Sequence, residues 1–476
     1  MSNVLRNLPT VNELLDSPPL KSLVRQINRG VVSSGVRSFL EKLRTDAQNA
    51  SGISIPAPSE LAERIAQWIA GEQAGQRPVI NATGIVLHPQ LGGAPLADEA
   101  IQAIAAVAAS YAPSDPSASD REAILDRFAV IQRLLNQLTG AESAMVVNNG
   151  SAATVLALSE VAAGREVLVS RGQLLDTGDG YRVAEAIASS GAVLREVGAT
   201  NRTTIDDFAQ AVTDRTAAMM RVHAGNFAIV GAAEQPPLSE LAALARRHNL
   251  TFIDDVGSGA LLDFNRYGIV GEPVVADSVK AGADLVLFSG DKLLGGPQSG
   301  LIVGRRQWVE RLARHPLARS VATDKLTLAA LAATLGLYGD LALAERSLPL
   351  LTMLSTPVDN LKNRAERLAV QIQASAAVAG ANAIEEETYL AGLNLPGHRL
   401  ATWCIAVTPA EGTVNQLAAR LCAGAPSVVV RLHRGRLLID LRSVRPRHDQ
   451  ELAAAFQLLA PTPEVSPTAD DKLEVI

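Results

Sequence analysis

Between about residue 140 and residue 304 the chain alternates short apolar runs with amphipathic ones, and this rhythm limits the fold more than any other feature. The apolar runs are 144–147, 166–170, 193–197, 217–222, 251–253, 285–288 and 301–303. Runs of helical periodicity such as 152–163 and 238–247 lie between them. Strands alternating with helices fold into a mainly parallel sheet, with right-handed crossovers placing helices on its faces. The pattern predicts a large, doubly wound α/β domain.

The flanks carry a different texture. Thr10 and Glu13 have capping-box spacing, and Pro18-Pro19 stops the short helix that follows. Leu20, Leu23, Val24 and Ile27 recur at helical spacing, as do Val36, Leu40 and Leu43. Residues 1–50 hold seven basic side chains against four acidic ones. That surplus reads either as an ordinary solvated helix face or as a module that contacts RNA or another subunit. Residues 49–58 look like a linker, Ser59 is a candidate cap for the next helix, and 112–119 is an irregular stretch. Beyond 325 a long helical segment leads to a second α/β patch. There, 428–430 and 437–441 resemble a two-stranded unit turning at Arg434-Gly435. The expected division is a helical module over 1–75, a large domain over 76–335, a small C-terminal α/β domain over 336–460 and a poorly ordered tail over 461–476.

Composition narrows the function classes. A chain of 476 residues, 47% of them hydrophobic, is long and apolar enough for several packed domains. Its net charge of −6 supplies no general field for nucleic acid, and 3% aromatics leave few platforms for stacked bases. Cys404 and Cys422 are too few for a disulfide framework or a cysteine-only metal site, and no metal is expected. The opening residues lack the apolar core of a signal peptide, and no run of 18 apolar residues occurs. A cytoplasmic enzyme is the expectation.

Three segments carry chemistry. The first, LVLFSGDKLLGGPQSG at 285–300, is an apolar strand followed at once by Ser289, Asp291 and Lys292. Strand ends of open α/β sheets are where ligands bind, and a lysine there suits a Schiff-base lysine on pyridoxal phosphate. Ser289 would place its hydroxyl on the cofactor phosphate. Equally, a lysine leaving a buried strand can simply reach solvent. The second, TFIDDVGSGA at 251–260, ends a strand in Asp254 and Asp255. Either acid could pair with the pyridinium nitrogen, or merely cap the next turn. The third, NNGSAA at 148–153, leads from an apolar strand into a helix. Gly150, Ser151 and Ala152 would form a phosphate cup from free helix N-terminal amides, although N-N-G alone is also an ordinary turn. The order of cup, acid and lysine is the usual one in aspartate-aminotransferase-like (fold type I) pyridoxal enzymes.

With these residues in view, the chain resembles the bacterial L-seryl-tRNA(Sec) selenium transferase (selenocysteine synthase) family. The resemblance rests on LRNLPTVNELL, VINATGIVLH, LTGAE, SRG at 170–172, EVGATNRT, DDVGSG, FSGDKLLGGPQSG, HPLAR, DKLTLAALAATL and GRLLIDLRSV, and it spans nearly the whole chain. It implies that Lys292 carries pyridoxal phosphate and that Asp291 lies near the leaving hydroxyl. It implies Asp255, ahead of Asp254, as the ring-nitrogen partner, and His223 and Asn226 on the strand beneath the ring. The implied reaction turns seryl-tRNA(Sec) into selenocysteinyl-tRNA(Sec) through an aminoacrylyl intermediate, with selenophosphate as selenium donor. The N-terminal helices would grip the tRNA, and the chain would form a homo-oligomer of dimers. Arg319 and Arg171 are the candidate anion receptors. Pro89, Gln90, Gly93 and Ala322 depart from the family pattern, the latter two standing where it has arginines. Selenophosphate carries about two negative charges, so these departures keep an alternative open: a pyridoxal-phosphate lyase or aldolase acting on a small amino acid or amino sugar acid.

Overall fold

The computed structural model describes residues 9–49, 58–73, 77–111, 127–176, 180–225, 227, 229, 231–391 and 399–459. The irregular stretch at 112–119 and the tail expected over 461–476 lie outside them. The chain gathers into two compact units, one of Met1–Thr83, Asn363–Ile384 and Cys404–Ile476, the other of Gly84–Lys362 and Glu385–Trp403. The helical and C-terminal segments expected from the sequence both fall mainly in the first.

In the first unit, helices Val11–Leu15, Pro18–Gln26, Arg29–Asn49 and Pro58–Gln73 share a core of their own. Leu14, Leu20, Val32, Val36, Leu40, Leu61, Ile65 and Ile69 are all buried in it. The capping box is made: the Thr10 amide donates to Glu13 Oε2 at 2.8 Å, and the Glu13 amide donates to Thr10 Oγ1 at 3.3 Å. Pro18 opens the second helix at a position where its missing N–H has no partner to lose. The fourth helix opens at Pro58 for the same reason, so Ser59 lies inside the first turn and is not the cap expected of it.

Strands β1 (Val79–Ala82), β9 (Val378–Tyr389), β10 (Arg399–Pro409), β11 (Ser427–His433) and β12 (Arg436–Asp440) form a five-stranded sheet in the order β1-β11-β12-β10-β9. Strands β11 and β12 are the expected hairpin. Arg434 and Gly435 turn it with φ of 50° and 73°, the left-handed pair that matches the twist of a two-residue hairpin.

The second unit is built on a seven-stranded sheet. Its strands are β2 (Ser143–Val147), β3 (Glu166–Ser170), β4 (Val193–Val197), β5 (Thr216–Val222), β6 (Thr251–Gly257), β7 (Leu285–Ser289) and β8 (Gly300–Gly304). The order is β2-β8-β7-β6-β5-β3-β4. Pairs β3–β4, β3–β5, β5–β6 and β6–β7 are parallel, and β8 runs antiparallel to both its neighbours. All seven expected strands are present, and this is the fold type I architecture expected from the sequence. Helix Gly150–Ala162 covers one face, burying Leu156 and Ala157 with Val167, Val169 and Met220. Helix Leu238–Arg247 covers the other, burying Leu241 and Leu244 with Phe252, Val286 and Val303. Among the described residues no helix is long and apolar enough to cross a membrane.

Candidate active site

The carboxyl ends of β5, β6 and β7 lie side by side, and the three motifs converge there. Strand β7 ends at Ser289, and the chain turns sharply through Gly290 to Asp291 and Lys292. The turn needs a glycine: a Cβ at Gly290 would lie 2.8 Å from the Pro297 carbonyl oxygen. The Gly290 amide donates to Ser299 O at 2.9 Å, and Leu293 donates to Ser258 O at 2.8 Å. This ties the lysine segment to the loop that follows β6. Lys292 is exposed, whereas Leu293 and Leu294 are buried. Asp291 is half-buried, and desolvation pushes its carboxyl up against the pull of the Lys292 ammonium.

The helix Gly150–Ala162 starts directly above Ser289. A Cβ on Gly150 would stand 2.5 Å from the Ser289 hydroxyl, so any larger residue there would oblige that hydroxyl to turn away. The cup differs in one detail from expectation. The Asn149 side chain caps the helix and takes the Ala152 amide at 2.8 Å, so that donor is already used. The amides of Gly150 and Ser151 have no protein acceptor among the described residues and stand at the positive end of the helix dipole.

Strand β6 presents its two acids to opposite faces of the sheet, as pleating requires. Asp255 faces the helix Gly150–Ala162: Thr154 Oγ1 donates to its Oδ2 at 3.0 Å, and the Gly257 amide donates to its Oδ1 at 3.1 Å. Desolvation pushes the Asp255 carboxyl up to about 6, opposed by Thr154 and by Lys292. Asp254 does not join this group. It is fully buried on the other face and engaged bidentately by Arg221, with Nε–Oδ1 at 2.6 Å and Nη2–Oδ2 at 2.8 Å. Its expected role as a cofactor ligand is corrected on that ground.

His223 follows β5, and its amide donates to the Asp255 carbonyl at 2.8 Å. Its ring Nε2 lies 3.5 Å from the buried Glu272 Oε2. Asn226 lies outside the described residues. Arg319 belongs to the short helix Pro316–Ser320. That helix leads into Val321, whose carbonyl accepts the Asn148 amide at 2.9 Å, so Arg319 stands on the segment bordering the cup. Arg171 does not gather here: it is paired with Glu196 at 2.8 Å, and both side chains are about half exposed. The turn after His88 closes on the lysine motif. Gly93 has φ of 75°, and a Cβ there would lie 2.9 Å from Asp291 O. Any larger side chain at 93 would meet that backbone.

Asn149 and Ser258 lie inside the sequence motifs without an assigned role, and Thr154, Arg221 and Glu272 lie outside them; of these three only Thr154 has a local signal, one helical turn after Gly150. The Ser258 hydroxyl is buried without a hydrogen-bond partner. An accessible amine, a buried acid, a glycine-lined helix N-terminus and an unpartnered hydroxyl together fit pyridoxal phosphate. They match the amine-tethered aldehyde, ring nitrogen, phosphate and ring hydroxyl of that group.

The chain is similar to several known proteins. Residues 79–445 match the family model described as L-seryl-tRNA selenium transferase, and residues 5–44 match selenocysteine synthase N terminal. The chain is 39% identical over 466 residues to an L-seryl-tRNA(Sec) selenium transferase of Hyphomonas neptunium, covering 97% of this chain and 100% of that protein. It is 40% identical to one of Nitratidesulfovibrio vulgaris, covering 93% and 96% respectively. Among solved structures, a D-glucosaminate-6-phosphate ammonia-lyase superposes with a TM-score of 0.56 at 21% identity, covering 82% of this chain and 97% of that one. This last likeness concerns the fold alone.

Proposed function

The chain belongs to the L-seryl-tRNA selenium transferase family, and from that premise we propose that it is a pyridoxal-phosphate-dependent transferase that converts seryl-tRNA(Sec) to selenocysteinyl-tRNA(Sec). The observation that carries the chemistry is the meeting of Lys292, Asp255 and the Gly150 helix start at one sheet edge. Pyridoxal phosphate, when bound, supplies an electron sink for bonds at the amino-acid α-carbon.

The chain's own residues supply the rest. Lys292 offers the amine that tethers the cofactor and a base for the α-proton. Asp255, oriented by Thr154, holds a proton on the ring nitrogen. The Gly150 and Ser151 amides and the Ser289 hydroxyl receive the phosphate. Asp291, raised by burial, is suited to hold a proton for the departing seryl hydroxyl. His223 completes the reading on the side of β5, Asn226 keeps the role that the family resemblance implies, and Arg319 is the candidate receptor for the selenophosphate anion.

The helical module of residues 1–75 is read as the tRNA-gripping element, in line with the match of residues 5–44. A homo-oligomer built from dimers and a cytoplasmic location complete the proposal. The family assignment favours it over the lyase alternative. Incubation of the loaded protein with seryl-tRNA(Sec) and selenophosphate tests it. Selenocysteinyl-tRNA is the expected product; no conversion at saturating substrates, with ammonia or pyruvate released from a free amino acid, would reverse the assignment.

A further inference from the structure

The reading of Asp255 as ring-nitrogen partner leaves its neighbour unexplained. Asp254 is 0% exposed, yet it is an acid. Register sets Arg221 opposite Asp254 and Val222 opposite Asp255, so the Arg221 fork closes on Asp254 one rung below the site. Buried ion pairs contribute little net stability compared with an apolar pair of the same volume, because both charges must be stripped of water. Stability alone therefore does not account for this pair. Its position does: it sits on the reverse face of the strand that presents Asp255, where little water screens one carboxylate from the other.

We propose that Arg221 is a positioning residue for the cofactor site: by offsetting the charge of Asp254, it lessens the negative charge that bears on Asp255 and so sets the pH range in which Asp255 holds the ring nitrogen's proton. This rests on the ring-partner reading of Asp255. The groups that bear on Asp255 from each side are these. Lys292, with Asp291 beside it, faces it from the segment after β7 and favours its ionised form. Asp254 opposes that from its own strand, and the proximity is direct enough to raise Asp255. Thr154 and the Gly257 amide donate to its carboxylate, and His223, paired with Glu272, closes the end of β5.

The arrangement makes a prediction of sign. In the full-length protein loaded with pyridoxal phosphate, the visible absorbance of the bound cofactor is titrated with pH. R221M leaves an unbalanced negative charge and moves the transition up by about one pH unit; D254N leaves an unbalanced positive charge and moves it down by a similar amount. R221K, which keeps the charge, stays near the parent, and the R221M/D254N double variant returns toward it. A purely structural pair predicts lower melting temperatures for both single variants with no opposed shifts. Should R221M fail to fold, the isosteric D254N carries the test alone through its downward shift. Singles that shift in the same direction, or folded singles that do not shift, overturn the proposal. D255N separates the two claims: if it leaves the titration unchanged, the ring-partner reading has failed; if it alters the titration while the Arg221 and Asp254 variants do not, only this inference has.

Discussion

Replacing Asp255 by asparagine should make the cofactor-free protein more stable while disabling its site. The folded-state carboxyl sits at about 6 against a reference of 3.8, with burial as the largest cause. A raised acid binds its proton more tightly in the folded state, so stability is lost as pH rises from the reference value through the folded one. Below 3.8 there is no penalty, and above about 6 it is complete. A shift of about two units corresponds to about 3 kcal/mol. Asparagine carries no such penalty but weakens the bonds from Thr154 and Gly257, so a net gain of about 1–3 kcal/mol at pH 7.5 is expected. Thermal melts of cofactor-free Asp255→Asn and parent at pH 7.5 and pH 5 measure it. The variant should melt several degrees higher at pH 7.5, and its gain at pH 5 should be smaller by about 1.4 kcal/mol. A variant that is less stable at pH 7.5, or whose gain does not depend on pH, would refute the assignment of Asp255 as a strained, desolvated acid.

Other outcomes follow from the same geometry. Gly150→Ala puts a Cβ 2.5 Å from the Ser289 hydroxyl at the start of the cup, so cofactor affinity should fall about tenfold or more in an absorbance titration; unchanged affinity would remove Gly150 from the phosphate site. Thr154→Val deletes a hydrogen bond to the Asp255 carboxylate, raising its pKa by about one unit. The acidic limb of the activity profile should move up by that amount, and a limb that stays put or moves down counts against the contact. Arg171→Ala breaks only a half-exposed pair with Glu196, so stability should change by less than about 1 kcal/mol and kcat/KM should hold. A large loss in kcat/KM would return Arg171 to the site.

Much of this was legible in the sequence because strand ends and glycines leave strong local marks. The apolar runs gave the seven strands of the large sheet, and S-G-D-K and N-N-G marked where they open. The tie between Thr154 and Asp255 was not legible, because it joins residues 101 apart through the packing of a helix on the sheet. Strand pleating separates Asp254 from Asp255, yet adjacent acids at a strand's end give no sign of which face is the site until Arg221 is seen on the neighbouring strand. The side-chain cap at Ala152 was hidden for a similar reason: Asn149 reads as a turn residue until its side chain folds back over the helix start. Arg171 looked available because sequence shows a charge but not its partner.

The central claim is that Lys292, Asp255 and the helix starting at Gly150 are one cofactor site. Borohydride reduction of the protein loaded with pyridoxal phosphate, followed by peptide mass spectrometry, tests it most directly. The account predicts one pyridoxyl modification per chain, on Lys292, absent from Lys292→Ala. Modification at another lysine, or none in a protein that still binds the cofactor stoichiometrically, would contradict it.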